Sequence, residues 1–139
     1  MGYTHYWELK DTCTLDARRS FVADVRAIIK MAPVAVQFES GDPRPPVVAH
    51  NLVRFNGEGE FGYETFYFES GKWSFCKTAR QLYDVVVTAC LLAAKSNFGD
   101  DVRISSDGRW EDWAEGLDLF HRATERTSEF AAPPWAEEE

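Results

Sequence analysis

The three cysteines and three histidines of this chain form no Cys-x-x-Cys, His-x-x-x-His or His-Glu-x-x-His pattern. Those spacings let a short segment hold zinc, so no metal centre is expected from the sequence. An odd cysteine count (Cys13, Cys76, Cys90), with no basic and then apolar leader over residues 1–9, argues against a disulfide framework. It points to free thiols and a cytoplasmic setting. No apolar run is long enough to span a membrane: Leu82 to Ala94 is the most apolar stretch, and Asp84 and Thr88 interrupt it. A membrane partner is therefore not expected. Asn56-Gly57-Glu58-Gly59-Glu60 lacks both the Gly-Lys-Ser/Thr of a phosphate loop and the acid ladder of a calcium loop, and reads as a turn with acidic tips. There is no internal repeat. Clustered Lys and Arg are also missing, which argues against direct nucleic-acid binding by phosphate neutralisation.

What is present is apolar and acidic. Of 139 residues, 45% are hydrophobic and 14% aromatic, enough for one self-supporting core, read as a single globular domain over residues 1–130 with an acidic tail over 131–139. The net charge of −8 is unevenly placed. Residues 1–96 carry 11 acids and 11 bases, whereas residues 97–139 carry 12 acids against four arginines. The polarised end reads as a solvated helix face that keeps the chain soluble, or as a surface for a basic protein partner through Glu111, Asp112, Glu115 and Asp118.

Alternation over Tyr3 to Leu9 predicts a strand, with β-favouring residues on both sides. Thr12 or Thr14 caps a first helix whose Phe21, Val22, Val25, Ile28 and Ile29 recur at helical spacing, with Arg18, Arg19, Asp24 and Arg26 on its surface. Val34 to Phe38, Val47 to Asn56, Tyr63 to Glu69 and Lys72 to Thr78 are predicted strands, the last three joined as antiparallel hairpins. Arg80 to Asn97 is a second helix, apolar almost all round and so central. Val102 to Ser106 is a last strand, and Asp107 caps a third helix carrying the stripe Trp110, Trp113, Leu117 and Phe120. Trp135 alone in the tail is able to dock. The order β-α-β-β-β-β-α-β-α predicts an α+β fold: a mostly antiparallel sheet of five to six strands, with about three helices largely on one face.

Met-Gly-Tyr-Thr-His-Tyr-Trp at the start, Phe55-Asn56-Gly57, Phe75-Cys76-Lys77-Thr78-Ala79-Arg80 with Tyr83-Asp84, and Ser105-Ser106-Asp107-Gly108 resemble a group of small bacterial and phage-encoded proteins. The resemblance spans roughly residues 1–125 and implies a family without a mechanism. In a phage setting it implies a sequestering or anti-defence role. Leu82 stands where such proteins often have a proline.

These motifs place polar residues at strand ends and helix starts, where free backbone N–H groups and the helix dipole favour an anion. The leading expectation is a non-enzymatic domain binding a small polar or anionic ligand, possibly a nucleotide. Lys77, Thr78 and Arg80 would hold a phosphate or carboxylate beside Tyr83 and Asp84. Tyr6 and Trp7 would supply aromatic surface, and His5, Ser105, Ser106 and Asp107 hydrogen bonds. The competing explanation needs no ligand: Thr78 and Asp107 cap helices, and Arg80 pairs with Asp84 at i, i+4. A third reading is a hydrolase or transferase with Cys76 as nucleophile, His5 as base and Asp84 or Asp107 as orienter, against which Cys76 is a small buried hydrophobe. Glu64, if its side of the strand is buried, needs a partner from Lys77 or Arg54.

Overall fold

In the computed structural model, which describes residues 2–135, seven strands and three helices alternate along the chain. They are β1 (Thr4–Leu9), α1 (Leu15–Met31), β2 (Val36–Gln37), β3 (Val47–Ala49), β4 (Leu52–Gly57), β5 (Phe66–Phe68), β6 (Lys72–Lys77), α2 (Asp84–Phe98), β7 (Val102–Ser106) and α3 (Ala114–Thr124). The α+β class is as expected and every strand pairing is antiparallel, but the strands form two sheets rather than one. The first has the order β6-β1-β7; in the second, β4 pairs with β2, β3 and β5.

The division arises at the Ser70-Gly71 turn. Gly71 has φ of +77°, and its N–H donates to Leu9 O at 2.6 Å, so the chain leaves β5 and joins the edge of β1. The expected hairpin ladder between β5 and β6 is therefore replaced by two separate pairings, β5 with β4 and β6 with β1. Likewise the single strand expected over Val47 to Asn56 is a tight hairpin, turning at His50 and Asn51 between the paired Ala49 and Leu52. Phe66 and Phe68 fill the gap between the sheets. Their rings lie 4.9 Å and 6.1 Å from that of Trp7, and Phe21 and Phe55 extend the same aromatic core.

The helices pack on one another and on the inner side of the first sheet. Thr14 caps α1, its Oγ1 accepting from Ala17 N. Helix α2 is buried along almost its whole length, as its uniform apolarity requires. Gly116 on α3 lets the two helices approach, since a Cβ there would fall on the Thr88 hydroxyl. Asp24, expected on the surface of α1, is instead buried. It accepts two bonds from Arg126, at 2.7 and 3.1 Å, and one from Asn97 at 2.7 Å, clasping α1 to α2 and to the segment after α3. Trp135 docks against Trp110 and Trp113, while residues 136–139 of the expected tail lie outside the described residues.

Two helix starts differ from expectation. Helix α2 begins at Asp84 rather than Arg80, because Ala79 (φ 52°) and Arg80 (φ 60°) are left-handed and cannot continue a helix. That turn is held by Thr78 N and Ala79 N donating to Tyr3 O, and by Thr78 Oγ1 donating to Asp84 Oδ1. Asp107 does not cap the third helix. The 3-10 turn over Trp110–Trp113 that leads into α3 is closed by Asp112, whose carboxylate accepts from Arg109 N at 2.8 Å.

Candidate functional site

Strand β1 is central in its sheet and sends alternate residues to opposite sides. Tyr3, His5, Trp7 and Leu9 face the core; Thr4, Tyr6 and Glu8 face outward. Register extends this division to its neighbours. Cys76 and Ser106 lie opposite His5 and share its inner side, whereas Lys77, Phe75 and Trp73 on β6 and Ser105 and Arg103 on β7 lie opposite Thr4, Tyr6 and Glu8. The expected ligand residues therefore fall on two sides of one sheet and cannot line one cavity.

The inner set is a closed polar network. His5 is fully buried, with Nε2 2.7 Å from Asp84 Oδ1 and Nδ1 2.7 Å from Ser106 Oγ. Ser106 Oγ also accepts from Gly108 N at 2.9 Å and from Trp113 Nε1 at 3.4 Å. A carboxylate only accepts, so His5 Nε2 carries hydrogen; two N–H groups fill both lone pairs of Ser106, so its own hydrogen goes to Nδ1. The order acid, histidine, serine is that of a nucleophilic triad. Here the hydroxyl has no lone pair left for a substrate, and the network serves to join β1, β7 and α2.

The cysteine reading meets a similar obstacle. Burial pushes the Cys76 thiol up to about 12, and its Sγ lies 3.6 Å from Tyr83 Oη and 3.4 Å from Glu64 O. Both nitrogens of His5 are already engaged, and Asp107 is on the other side of the sheet. Tyr83, also buried, donates to Glu64 O. Glu64 is satisfied by the Lys77 backbone N–H at 2.8 Å rather than by a basic side chain.

At the end of the sheet, Tyr3, Arg80, Asp84, Thr88, Asp112 and Glu115 border a cavity of about 170 Å³. Arg80 does not pair with Asp84. Its guanidinium lies 4.0 Å from the Tyr3 ring centre and 3.6 Å from Asp112, whose carboxyl is held below its usual range chiefly by the Arg109 N–H and secondarily by this guanidinium. Three carboxylates face one partly neutralised guanidinium here, and Asp84 itself occupies the positive end of α2. An anion at this helix start would meet net negative charge.

The outer side of the first sheet is uncovered. Trp73 is 59% exposed and Phe75 48%, with Tyr6 half-buried between the two and β7. The Tyr6 and Trp73 rings are 6.3 Å apart and inclined by only 24°, and Phe75 lies 5.5 Å from Trp73. The Tyr6 hydroxyl donates to Asp107 at 3.2 Å, and Asp107 also accepts from Thr4 N, so the central ring is fixed. A concavity of about 260 Å³ lies over Tyr6, Glu8, Trp73, Arg103 and Ser105. Lys77 stands at the far end of the same side, its Nζ 5.6 Å from the Tyr63 ring centre.

Of the expected site residues, Tyr6, Lys77, Ser105 and Asp107 are on this outer side. His5, Trp7, Thr78, Tyr83 and Ser106 are internal, and Arg80 and Asp84 border the end cavity. Sequence reasoning missed Trp73, Phe75, Glu8 and Arg103. For Trp73 and Phe75 the signal was the alternation in Lys72 to Lys77, where large rings flank Ser74. On the acidic face, Asp118 pairs with Arg122 and Asp112 with Arg80, and among the described residues Glu111 and Glu115 make no ion pair. Among the described residues no cluster of His, Cys, Asp and Glu is arranged to hold a metal, and no helix is long and apolar enough to cross a membrane. Compared with protein-family models, curated proteins and solved structures, the chain matches none.

Proposed function

We propose that this protein is a non-enzymatic binding module that takes a mononucleotide, a planar ring joined to an anionic group, on the open side of its first sheet. The observation that carries this reading is the ring surface of exposed Trp73 and Phe75 beside half-buried Tyr6. Contiguous exposed rings of this kind commonly mark an interaction site. Near-parallel Tyr6 and Trp73 offer ring faces of one orientation, suited to stacking a flat ligand, rather than the box of crossed rings that encloses an ammonium group.

Stacking is worth about 1–3 kcal/mol per base, and a charge-assisted hydrogen bond about 1.5–3 kcal/mol. Together, at about 2.5–6 kcal/mol, they support a Kd between about 15 mM and about 40 μM. Lys77 supplies a cation for a phosphate on the same side of β6, two residues or about 7 Å beyond Phe75, the position opposite Tyr6. A single nucleotide fits this side better than a nucleic-acid strand does. Glu8 and Asp107 balance Lys77 and Arg103 there, and the chain as a whole carries −8. Sequestering a small signal, the role suggested by the resemblance to phage-encoded proteins, requires no chemistry beyond such binding.

Titration with AMP, GMP, CMP and UMP, followed by tryptophan fluorescence, tests the reading. Quenching is expected from Trp73, with affinity falling about tenfold or more in Tyr6→Ala by fluorescence and in Trp73→Ala by calorimetry. Silence with all four at about 50 mM, above the expected Kd range, removes the proposal. So does binding that survives both substitutions. A concentration-dependent dimer lost in Trp73→Ala would assign the rings to self-association instead.

A further inference from the structure

Which base the platform takes follows from Glu8 and Arg103. They are directly opposite each other on β1 and β7, both exposed, and both border the concavity beside Trp73. Opposite charges so placed ordinarily pair across the strands. Here, among the described residues, neither head group makes an ion pair or a side-chain hydrogen bond, so a carboxylate and a guanidinium stand side by side with their capacity unused.

We infer that the base read by this pair is guanine, an inference resting on the stacked-mononucleotide reading above. Ionised Glu8 only accepts, and its two oxygens match two adjacent parallel donors. Among the common bases only guanine presents two such donors on one edge, N1–H and the 2-amino group, with a carbonyl, O6, directly beside them. Arg103, which only donates, then meets O6. The other bases conflict with this order. Adenine and cytosine each offer one amino donor next to a bare ring nitrogen, whose lone pair would face a carboxylate oxygen. Uracil offers one N–H between two carbonyls, and both repel Glu8. Selection thus comes partly from misplaced lone pairs that are penalised, not only from bonds gained.

The fluorescence titration, extended to IMP and to Glu8→Gln, decides the matter. GMP is expected to bind at least about tenfold more tightly than AMP, CMP or UMP, with IMP, which lacks the 2-amino group, in between. Glu8→Gln replaces one acceptor by a donor and is expected to bring GMP within about threefold of AMP, by weakening GMP and by relieving the conflict with the bare ring nitrogen of adenine, while stacking on Tyr6 and Trp73 remains. Equal affinity for all the nucleotides overturns the guanine inference and leaves the nucleotide reading standing. A guanine preference that persists in Glu8→Gln overturns the role of Glu8 and with it the inference. Binding of none overturns both.

Discussion

Replacing His5 by Phe removes the centre of the inner network while keeping a flat ring of similar size against Tyr3 and Trp113, whose rings lie 5.1 Å from it. The substitution deletes two short bonds, one of them to a carboxylate. Losing the bond to Asp84 costs about 1.5–3 kcal/mol, and leaving the Ser106 hydroxyl hydrogen without an acceptor costs about 1–2 kcal/mol more. Part is returned by burying apolar ring surface, so a net loss of about 3 kcal/mol is expected. For a chain of this length that lowers Tm by about 10 °C. Urea denaturation of His5→Phe, Asp84→Asn and the double variant measures it as a cycle. Coupling of at least about 1.5 kcal/mol is expected, because the two groups share one bond. A loss under about 1 kcal/mol, or strict additivity, would refute the assignment of the network as a structural junction.

Three further outcomes follow from particular contacts. Asp24→Ala strands the Arg126 guanidinium beside Ser96 and Asn97, and a loss of about 3 kcal/mol by urea denaturation is expected; less than about 1 kcal/mol would mean that the clasp contributes little. Gly116→Ala drives a methyl into Thr88 Oγ1, and a fall in Tm is expected, with partial recovery in Gly116→Ala/Thr88→Ala, where the hydroxyl is gone. Cys76 binds its proton more tightly folded than unfolded, so stability should decline as pH rises from about 9 toward about 12. The group adds a slope approaching about 1.4 kcal/mol per pH unit, and Cys76→Ala should make the alkaline decline shallower by that amount. Below about 9 the same thiol should resist alkylation in the folded protein and react only on unfolding.

Much of the fold is legible in the sequence because it rests on local periodicity. The stripe of Phe21, Val25 and Ile28, the uniform apolarity of α2 and the glycine-marked turns identify helices and strands without reference to the rest of the molecule. What is not legible is long-range. Whether Gly71 closes a hairpin or hands the chain to β1 depends on a partner 62 positions away, Leu9. Asp24 looks like a surface acid until Arg126, 102 positions on, is brought to it. The site suffers most, because alternation in β1 puts β-favouring residues on both sides, and which side receives the helices is decided by Val102, Ile104 and Trp113 rather than by β1 itself. Motif residues adjacent in sequence, His5 with Tyr6 or Ser105 with Ser106, are for that reason separated by the thickness of the sheet.

That alternation also bears on how the protein can change. In β1, β6 and β7 the positions that secure the fold interleave one by one with those that meet the outside, so the two sets vary independently. Substitutions at Thr4, Tyr6, Glu8, Trp73, Phe75, Arg103 and Ser105 alter the outer surface without disturbing a buried side chain. Such a surface can be rewritten for a new ligand under little constraint from stability. A designer can exploit that freedom by randomising those seven positions on an otherwise unaltered chain.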